Sequence, residues 1–518
     1  MKTCVIIGGG IGGLVTGALL AKEGYRVTVL EKNALIGGGL QTFQRKGVSF
    51  PTGMHLFGGF QEGGNLRKLF GYLGVLDKIT LCATDADASD VVIVSSDRVT
   101  YRLPTGRERF IAYLSGLFPK EKMAIASYVD RLFELSEEED LFHLRETSTA
   151  PHPHSEDFLH SVRQLLDKYV TDAKLKALLT YLSPLVGSEG KTTPAYILAL
   201  LSTLHINGTF QFVGESRQLA DALAKLIEDT GGKVLALEEV TEIRVEDHKV
   251  SEVVTKRGNV YQADAYISDV HPDVLLRLFR GQAFTTAFVQ RLQSIPETCS
   301  SFKVFIKFKK NRFPYLNHSN FWLADYDATD DFEEMRPDVW PRSLMYITPP
   351  VAHQSEYAET MVILSMMKYD WVRDWEDTQT GRRGEAYAQW KQTMMERLLD
   401  RMESLYPEFR SGIEFAFAAS PLTIRDYYGN KEGSNYGFRK DSDHLMLSQM
   451  SVLTKVKNLL LTGQNVNIHG FCGVSLTAIE TAEALVGHNA IVGKINNFCN
   501  ETNRICNFAH PTRPTWIP

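Results

Sequence analysis

The chain has 518 residues, of which 44% are hydrophobic and 23% charged, and its formal net charge is −6 at pH 7. This length and composition are typical of a globular protein with two or more domains, and they exclude disorder over most of the chain. The negative charge excludes the general basic field of a nucleic-acid-binding protein, so we expect no nucleic-acid partner.

Residues 1–31 predict a βαβ unit. An apolar strand at 2–7 is followed by the glycine-rich run Gly8–Gly13, a helix at 14–23 and a second strand at 25–30. A glycine run between a strand and a helix is the fingerprint of a dinucleotide-binding fold. We expect the diphosphate to meet the N–H groups of this run, including Ile11 and Gly12.

Each polar or small residue of this unit has a mechanical role. Gly8 permits the tight turn, Gly10 lets the backbone approach a diphosphate, and Gly13 lets the helix pack closely on the strand. Glu31 follows Gly8 by 23 residues, which suits a carboxylate that accepts hydrogen bonds from the ribose hydroxyls. An acid at this position argues against a 2′-phosphate on the ribose.

A second glycine run indicates which of the two common dinucleotide cofactors, FAD or NAD, the chain is expected to bind. Residues 31–42 and 47–55 resemble the extension that runs along FAD in flavoproteins of the amine oxidase and phytoene desaturase type, and an NAD dehydrogenase would lack it. The cofactor is therefore expected to be FAD. The resemblance places these residues of the extension near it: Lys32, Gly38, Gly39, Leu40, Thr42, Gly53 and His55.

The stretch 76–209 is predicted to be mainly helical. Its periodicity favours a helix over 162–182, and residues 195–206 form the longest apolar helical run. That run is too short for a bilayer span, which needs roughly 18 residues. It is either a buried helix or a helix lying in a membrane interface, and the second reading leaves a peripheral membrane contact open.

The stretch 210–280 returns to the dinucleotide fold. It predicts a helix at 218–230, strands at 233–237 and 240–245, and a hairpin at 247–248. In relatives of the resembled family, the backbone at the position of Val240 holds adenine. Strands follow in 281–454, where Phe302, Val304, Ile306 and Phe308 alternate with other residues, which predicts one apolar and one largely solvated face.

The last segment completes the expected cofactor site. A strand at 458–461 and a turn at 462–465 precede a helix predicted to open at Gly473. In folds of this kind the N-terminus of that helix faces the flavin and stabilises its anionic reduced form. The residues expected to contact FAD here are Gly463, Asn465, Gly473, Val474 and Ser475.

Several blocks together narrow the resemblance. Residues 42–43, 52–55, 214–223, 265–272, 421–437 and 461–465 resemble the retinol saturase branch of the phytoene desaturase and carotenoid isomerase family. The resemblance implies an α/β fold, with a Rossmann-like FAD-binding domain of the glutathione reductase and amine oxidase type and an interleaved α+β substrate domain. The FAD domain is expected at 1–75, 210–280 and 455–490, the substrate domain at 76–209 and 281–454, and a tail at 491–518.

This resemblance implies an FAD-dependent oxidoreductase that acts on carbon–carbon double bonds of an apolar isoprenoid or polyene, with the saturase direction favoured. Three alternatives stay open: a phytoene or carotenoid desaturase or cis–trans isomerase, a flavin amine oxidase, and a non-catalytic prenyl-binding carrier. Because the chain has one dinucleotide fingerprint, a diffusible partner is expected to give or take electrons.

Cofactors of this kind carry the redox step, and a side chain is then needed to handle a proton. The candidates are His55, His469 and Tyr436, each with a competing interpretation as a structural hydrogen-bond partner or a packing residue. Six cysteines without a CxxC pair or metal-ligand spacing indicate free thiols and no metal. With a strand directly at the N-terminus and no signal peptide, a cytoplasmic protein is expected.

Overall fold

The computed structural model describes residues 1–501 except 54, 149–152, 188, 282, 329–331, 333 and 354. Residues 502–518 of the expected tail, including Cys506, lie outside the described part. The strands are β1 Thr3–Ile7, β2 Arg26–Leu30, β3 Thr42–Arg45, β4 Val48–Pro51, β5 Leu56–Phe57, β6 Leu81–Ala83, β7 Asp90–Val94, β8 Val99–Leu103, β9 Phe210–Phe212, β10 Lys233–Leu235, β11 Val240–Glu246, β12 Lys249–Thr255, β13 Val260–Tyr261, β14 Ala265–Ser268, β15 Ser300–Phe308, β16 Ser319–Leu323, β17 Ser343–Ile347, β18 Thr360–Met367, β19 Ile413–Ala419 and β20 Leu459–Leu461.

The helices are α1 Ile11–Lys22, α2 Asn65–Leu73, α3 Arg107–Leu117, α4 Lys122–Glu137, α5 Glu156–Leu159, α6 Val162–Tyr169, α7 Ala173–Leu179, α8 Ala195–Ile206, α9 Gln218–Asp229, α10 Pro272–Leu278, α11 Thr286–Ser294, α12 Glu385–Leu405, α13 Pro421–Tyr428, α14 Leu445–Ser448, α15 Gly470–Val486 and α16 Ala490–Glu501.

A parallel five-stranded sheet contains both strands of the predicted βαβ unit. Its order is β10-β2-β1-β14-β20, so the N-terminal strand pairs on one side with β2 and on the other with β14. The buried strands β1 and β14 are apolar on both faces, as expected where helices cover a parallel sheet. The predicted Rossmann-like architecture is confirmed.

A mixed seven-stranded sheet forms the other half, in the order β19-β15-β18-β17-β16-β7-β8. Strands β7 and β8 come from the stretch predicted to be mainly helical, and they join β16 through parallel pairing of β7. These two strands were missed because five residues carry too little periodicity to be separated from helix. The predicted α/β fold class is confirmed.

The prediction of a solvated face on β15 is wrong. One face packs into the apolar core under α12, and the other places Phe305 among Phe43, Phe50 and Phe417. Because β15 lies between β18 and β19 and both faces are covered, Lys303 is only 5% exposed. The alternation in the sequence correctly predicted which side chains of β15 share a face. It carried no information about which elements cover each face.

The single helix predicted over 162–182 is also wrong. The chain forms α6, leaves the helical conformation at Val170, and begins α7 after Asp172. The Asp172 carboxylate accepts the backbone N–H groups of Lys174 and Leu175 at 2.9 and 3.0 Å, which caps the new helix. The start of the expected tail also differs, since residues 490–501 form α16, which contacts α2 and α15.

Candidate active site

The carboxyl ends of β1, β2, β14 and β20 open into a cavity of about 540 Å³. In open α/β sheets ligands bind at this edge, because the loops that follow the strands converge there. One part of the cavity is lined by glycine backbone, and the other by apolar side chains of α8 and its neighbours.

The glycine run after β1 forms a cradle with no room for side chains. A Cβ atom on Gly10 would lie 2.7 Å from Asp269 Oδ2, and one on Gly9 would lie 2.9 Å from Glu31 Cβ. Gly8 has φ +108°, which is accessible mainly to glycine. The first turn of α1 therefore presents its backbone N–H groups to the cavity, as a diphosphate requires.

The carboxylate of Glu31 lies at the edge of the glycine cradle. Its two carboxylate oxygens accept the backbone N–H groups of Gly9 at 2.8 Å and Asn33 at 2.7 Å, and the side chain is buried at the end of β2. A carboxylate accepts up to about four hydrogen bonds, so lone pairs remain for two hydroxyl groups. Val240 and Lys32 line the same end of the cavity.

His55 offers the cavity a hydrogen-bond acceptor that no described residue uses. Its Nε2–H donates to Gly39 O at 2.8 Å, and its buried Nδ1 has no hydrogen-bond partner among the described residues. Burial lowers the pKa of His55 to about 4, and the positive charge of Lys303 acts in the same direction. The ring is therefore neutral at pH 7, and Nδ1 fits a hydroxyl or N–H donor of a bound flavin cofactor.

The C-terminal helix begins earlier than predicted. The helix begins at Gly470 with His469 as its N-cap. The backbone N–H groups that have no acceptor within the helix therefore belong to the turn that starts at Gly470, and not to the residues after Gly473. The preceding loop turns at Gly463, with φ +92°, and Asn465 Oδ1 accepts the N–H of Phe438 at 2.9 Å. The prediction missed the first helical turn because residues 470–473 contain two glycines.

His469 and Tyr436 form a second group on the cavity wall. Their ring centroids are 6.3 Å apart, and His469 Nδ1 is buried without a partner among the described residues. Burial lowers the pKa of His469 to about 3, with a further contribution from the positive charge of Lys440. Burial raises the pKa of Tyr436 well above its usual value, so this side chain keeps its proton at neutral pH.

Most of the predicted site residues meet at this one cavity. Three do not line it: Gly13 donates its N–H to Asp269 Oδ2, Thr42 is hydrogen-bonded to Ser216, and Ser475 donates to Phe471 O within α15. The predicted residues that line it are Gly8, Gly10, Ile11, Gly12, Glu31, Lys32, Gly38, Gly39, Leu40, Gly53, His55, Val240, Tyr436, Gly463, Asn465, His469, Gly473 and Val474.

Three charged residues that line the cavity were not predicted: Glu239, Asp269 and Lys303. Asp269 follows β14, and its carboxylate lies against the glycine run, where it accepts the N–H of Gly13 at 2.8 Å. Lys303 reaches the cavity from β15 and donates to Thr52 O at 3.2 Å. The position of Asp269 at the carboxyl end of a parallel strand could have indicated it, whereas nothing in the local sequence distinguishes Lys303.

No group of three metal-ligating side chains occurs among the residues that the structure describes. Within the same residues, no helix is both long and apolar enough to cross a membrane. No disulfide joins any of the five cysteines that the structure describes.

Three known proteins illustrate what this chain is similar to in sequence or in fold. All-trans-retinol 13,14-reductase of Danio rerio is 25% identical over 94% of this chain and 86% of its own length. Prolycopene isomerase 2 of an Oncidium hybrid cultivar is 24% identical over 84% of this chain and 74% of its own length. The crystal structure of an oxidoreductase from Methanosarcina mazei shares the fold, with a TM-score of 0.64, 16% identity, and coverage of 93% of this chain and all of that one.

The family model described as flavin containing amine oxidoreductase matches residues 11–486, which include α1, the second glycine run and α15. The cradle, the carboxylate of Glu31 and the unpartnered nitrogen of His55 fit a flavin dinucleotide. The chain therefore belongs to the flavin-containing amine oxidoreductase family and is an FAD-dependent oxidoreductase.

Proposed function

We propose that this protein adds two hydrogens across a carbon–carbon double bond of an apolar polyene, in the manner implied by the name of its retinol 13,14-reductase relatives. The observation that carries the proposal is the continuity of the cavity. The glycine-lined part that fits FAD passes directly into a part lined by Phe57, Ile197, Leu200, Leu204 and Phe471. An apolar substrate could thus reach the flavin without crossing water.

The wall of the apolar part is built for a long hydrocarbon. Helix α8 turns Ile197, Leu200, Leu201 and Leu204 toward the cavity, with the spacing of one helix face. Burying apolar surface stabilises a complex by about 25 cal/mol per Å² before the entropic costs of association. A polyene offers that surface over its whole length, whereas a small amine does not.

FAD supplies the two-electron chemistry when bound. Reduction of a double bond also needs a proton, and the three candidate side chains differ in what they can offer. The lowered pKa values of His55 and His469 make both rings neutral acceptors at pH 7, whereas Tyr436 retains its O–H. We assign Tyr436 as the proton-holding group and the two histidines as cofactor-positioning groups. A diffusible donor supplies the electrons.

The test begins with an absorption spectrum of the purified protein, followed by anaerobic mixing of the flavin-reduced form with all-trans-retinol and with a carotenoid. We expect oxidised flavin bands to return as a dihydro product appears. A flavin that stays reduced while the polyene only changes geometry would make the protein an isomerase, the reaction named by its Oncidium relative. Turnover of primary amines alone would make it an amine oxidase, and a colourless protein would favour a prenyl-binding carrier.

A further inference from the structure

Lys440 is a buried lysine that forms no ion pair with a carboxylate among the described residues. Its residue is only 3% exposed, and its Nζ donates one hydrogen bond, to Ser448 O at the end of α14, at 2.8 Å. Burial lowers the pKa of Lys440 to about 8, so the ammonium group is still largely protonated at pH 7. Burying an ammonium group in this way costs free energy unless an opposite charge compensates it.

Lys440 belongs to a segment that packs against the loop before α15. Phe438, two residues earlier, donates its N–H to Asn465 Oδ1 at 2.9 Å. Asn465 and His469 in this loop line the cavity, and His469 is the N-cap of α15. The positive charge of Lys440 is close enough to act on His469, because it lowers the pKa of that ring in addition to the effect of burial. The ammonium group therefore lies behind the cavity wall at the N-terminus of α15.

Two positive features thus act on the same side of the cavity. Helix α15 has 17 residues and contributes the partial positive charge of its N-terminus. Lys440 adds a full charge, whereas His469 is neutral at pH 7 because its pKa is lowered to about 3. The carboxyl groups of Glu31 and Asp269, which also line the cavity, contact the glycine run. A wall of this polarity favours the more negative of two forms of a ligand.

We propose that Lys440 favours the reduced over the oxidised form of the bound flavin. Reduction by two electrons and one proton from the diffusible donor leaves the flavin with one negative charge, and a buried positive charge nearby lowers the free energy of that form. Because Lys440 does not line the cavity, it acts on the cofactor through its charge and without touching it. This inference goes beyond the proposed polyene chemistry and depends only on the binding of FAD.

The test is the midpoint potential of the flavin in the holoenzyme, measured at pH 7 by anaerobic equilibration with a reference dye. Lys440→Met removes both the charge and the hydrogen bond to Ser448, whereas Lys440→Gln removes the charge and keeps an N–H donor. We expect both variants to shift the equilibrium about tenfold toward oxidised flavin, which lowers a two-electron potential by about 30 mV. Lys455→Met is the control, because this lysine is exposed and its charge is screened by solvent.

The stability of the apoprotein provides a second measurement. Because the two variants at position 440 remove an uncompensated buried charge, the melting temperature of the apoprotein should stay unchanged or rise. The dissociation constant of oxidised FAD, which gains no negative charge on the flavin ring, should change by no more than about twofold. A structural lysine would instead destabilise the apoprotein when it is replaced.

Wild-type potentials in both variants of Lys440, or a shift of the same size in Lys455→Met, would overturn the proposal. A wild-type potential in Lys440→Gln alone would also overturn it, because the hydrogen bond and not the charge would then be responsible. A variant that fails to fold, or that folds but no longer binds oxidised FAD, would assign Lys440 to the construction of the site and would refute its role in the redox equilibrium.

Discussion

At the scale of single residues, a few buried polar groups are expected to determine how the cavity binds a ligand. We expect Asp269 to affect cofactor binding, because its carboxylate lies against the glycine cradle at which we expect the diphosphate of FAD to bind. Burial raises the pKa of Asp269 to about 7, and the negative charge of Glu31 acts in the same direction, while the N–H of Gly13 opposes it. A protonated Asp269 is compatible with a diphosphate at this position, and an ionised one repels it.

Asp269→Asn should therefore change the pH dependence of FAD affinity. Above the pKa of about 7 the wild-type carboxyl must take up a proton as FAD binds, so its dissociation constant should rise with pH. The asparagine variant should lack this rise and bind FAD about tenfold more tightly than the wild type at pH 8, with little difference at pH 6. Fluorescence titration of the apoprotein with FAD measures both values. Asp264→Asn is the control, because this exposed carboxylate accepts the N–H of Thr3 at the opposite end of the sheet. Parallel pH profiles of FAD affinity in the wild type and in Asp269→Asn would contradict the prediction.

At the scale of elements, helix ends and close helix contacts shape the cavity. The break between α6 and α7 depends on the cap at Asp172, and the position of α8 depends on its contact with the loop after β5. The sequence predicted helix α8 with the bounds Ala195–Ile206 that the structure has, because an uninterrupted apolar run of this length is typical of a helix. Its role as cavity wall was not predictable, because the run is apolar on all sides.

Asp172→Ala should destabilise the protein by about 1 kcal/mol, since two backbone N–H groups of α7 lose their acceptor. Urea unfolding followed by circular dichroism measures the difference. Asp167→Ala is a matched control on the same helix pair, because its carboxylate makes only a surface ion pair with Lys176, which contributes roughly 0–1 kcal/mol. Equal destabilisation by the two variants would show that the cap does not define the start of α7.

Gly58→Ala should displace α8 and weaken substrate binding. The new Cβ would lie 2.7 Å from both Cβ and O of Leu204, and overpacking of this kind costs about 1–3 kcal/mol. The melting temperature should fall, and the dissociation constant of the polyene substrate should rise. Gly116→Ala provides the control, because a Cβ there meets no atom within 4 Å, and alanine favours a helix by roughly 1 kcal/mol. An unaltered affinity in Gly58→Ala would mean that α8 is not held by this contact.

At the scale of the whole molecule, the FAD-binding sheet is assembled from distant parts of the chain. Strand β1 pairs with β14, and β14 pairs with β20, so no continuous segment contains the sheet. Thr3 bonds to Asp264 across 261 residues at the base of the same strands. We therefore expect FAD to stabilise the entire chain and not a separable part of it.

Calorimetry of the protein should show one cooperative transition that moves to higher temperature with FAD. At a free FAD concentration of about 100 times the dissociation constant, linkage predicts a stabilisation of about 2.7 kcal/mol. Adenosine at the same concentration provides a ligand control, because it lacks the diphosphate and the flavin. Two transitions, of which only one responds to FAD, would contradict the expected coupling of the interleaved halves.

The sequence by itself determined the dinucleotide fold, the glycine cradle and the acid at position 31. These features are local: their spacing within one βαβ unit follows from the turn, the helix and the strand that the residues themselves form. It also identified His55, Tyr436 and His469 as cavity residues through the resemblance of their segments to a family.

Only the tertiary structure decided which polar groups are enclosed with the cofactor. Lys303 alternates with core residues and was expected to face solvent, yet both faces of its strand are covered. His205 and Asp90 are 115 residues apart, and neither segment indicates the other. The physical reason is the same in each case: the free energy of a buried charge depends on neighbours brought in by chain folding, and local spacing carries no information about them.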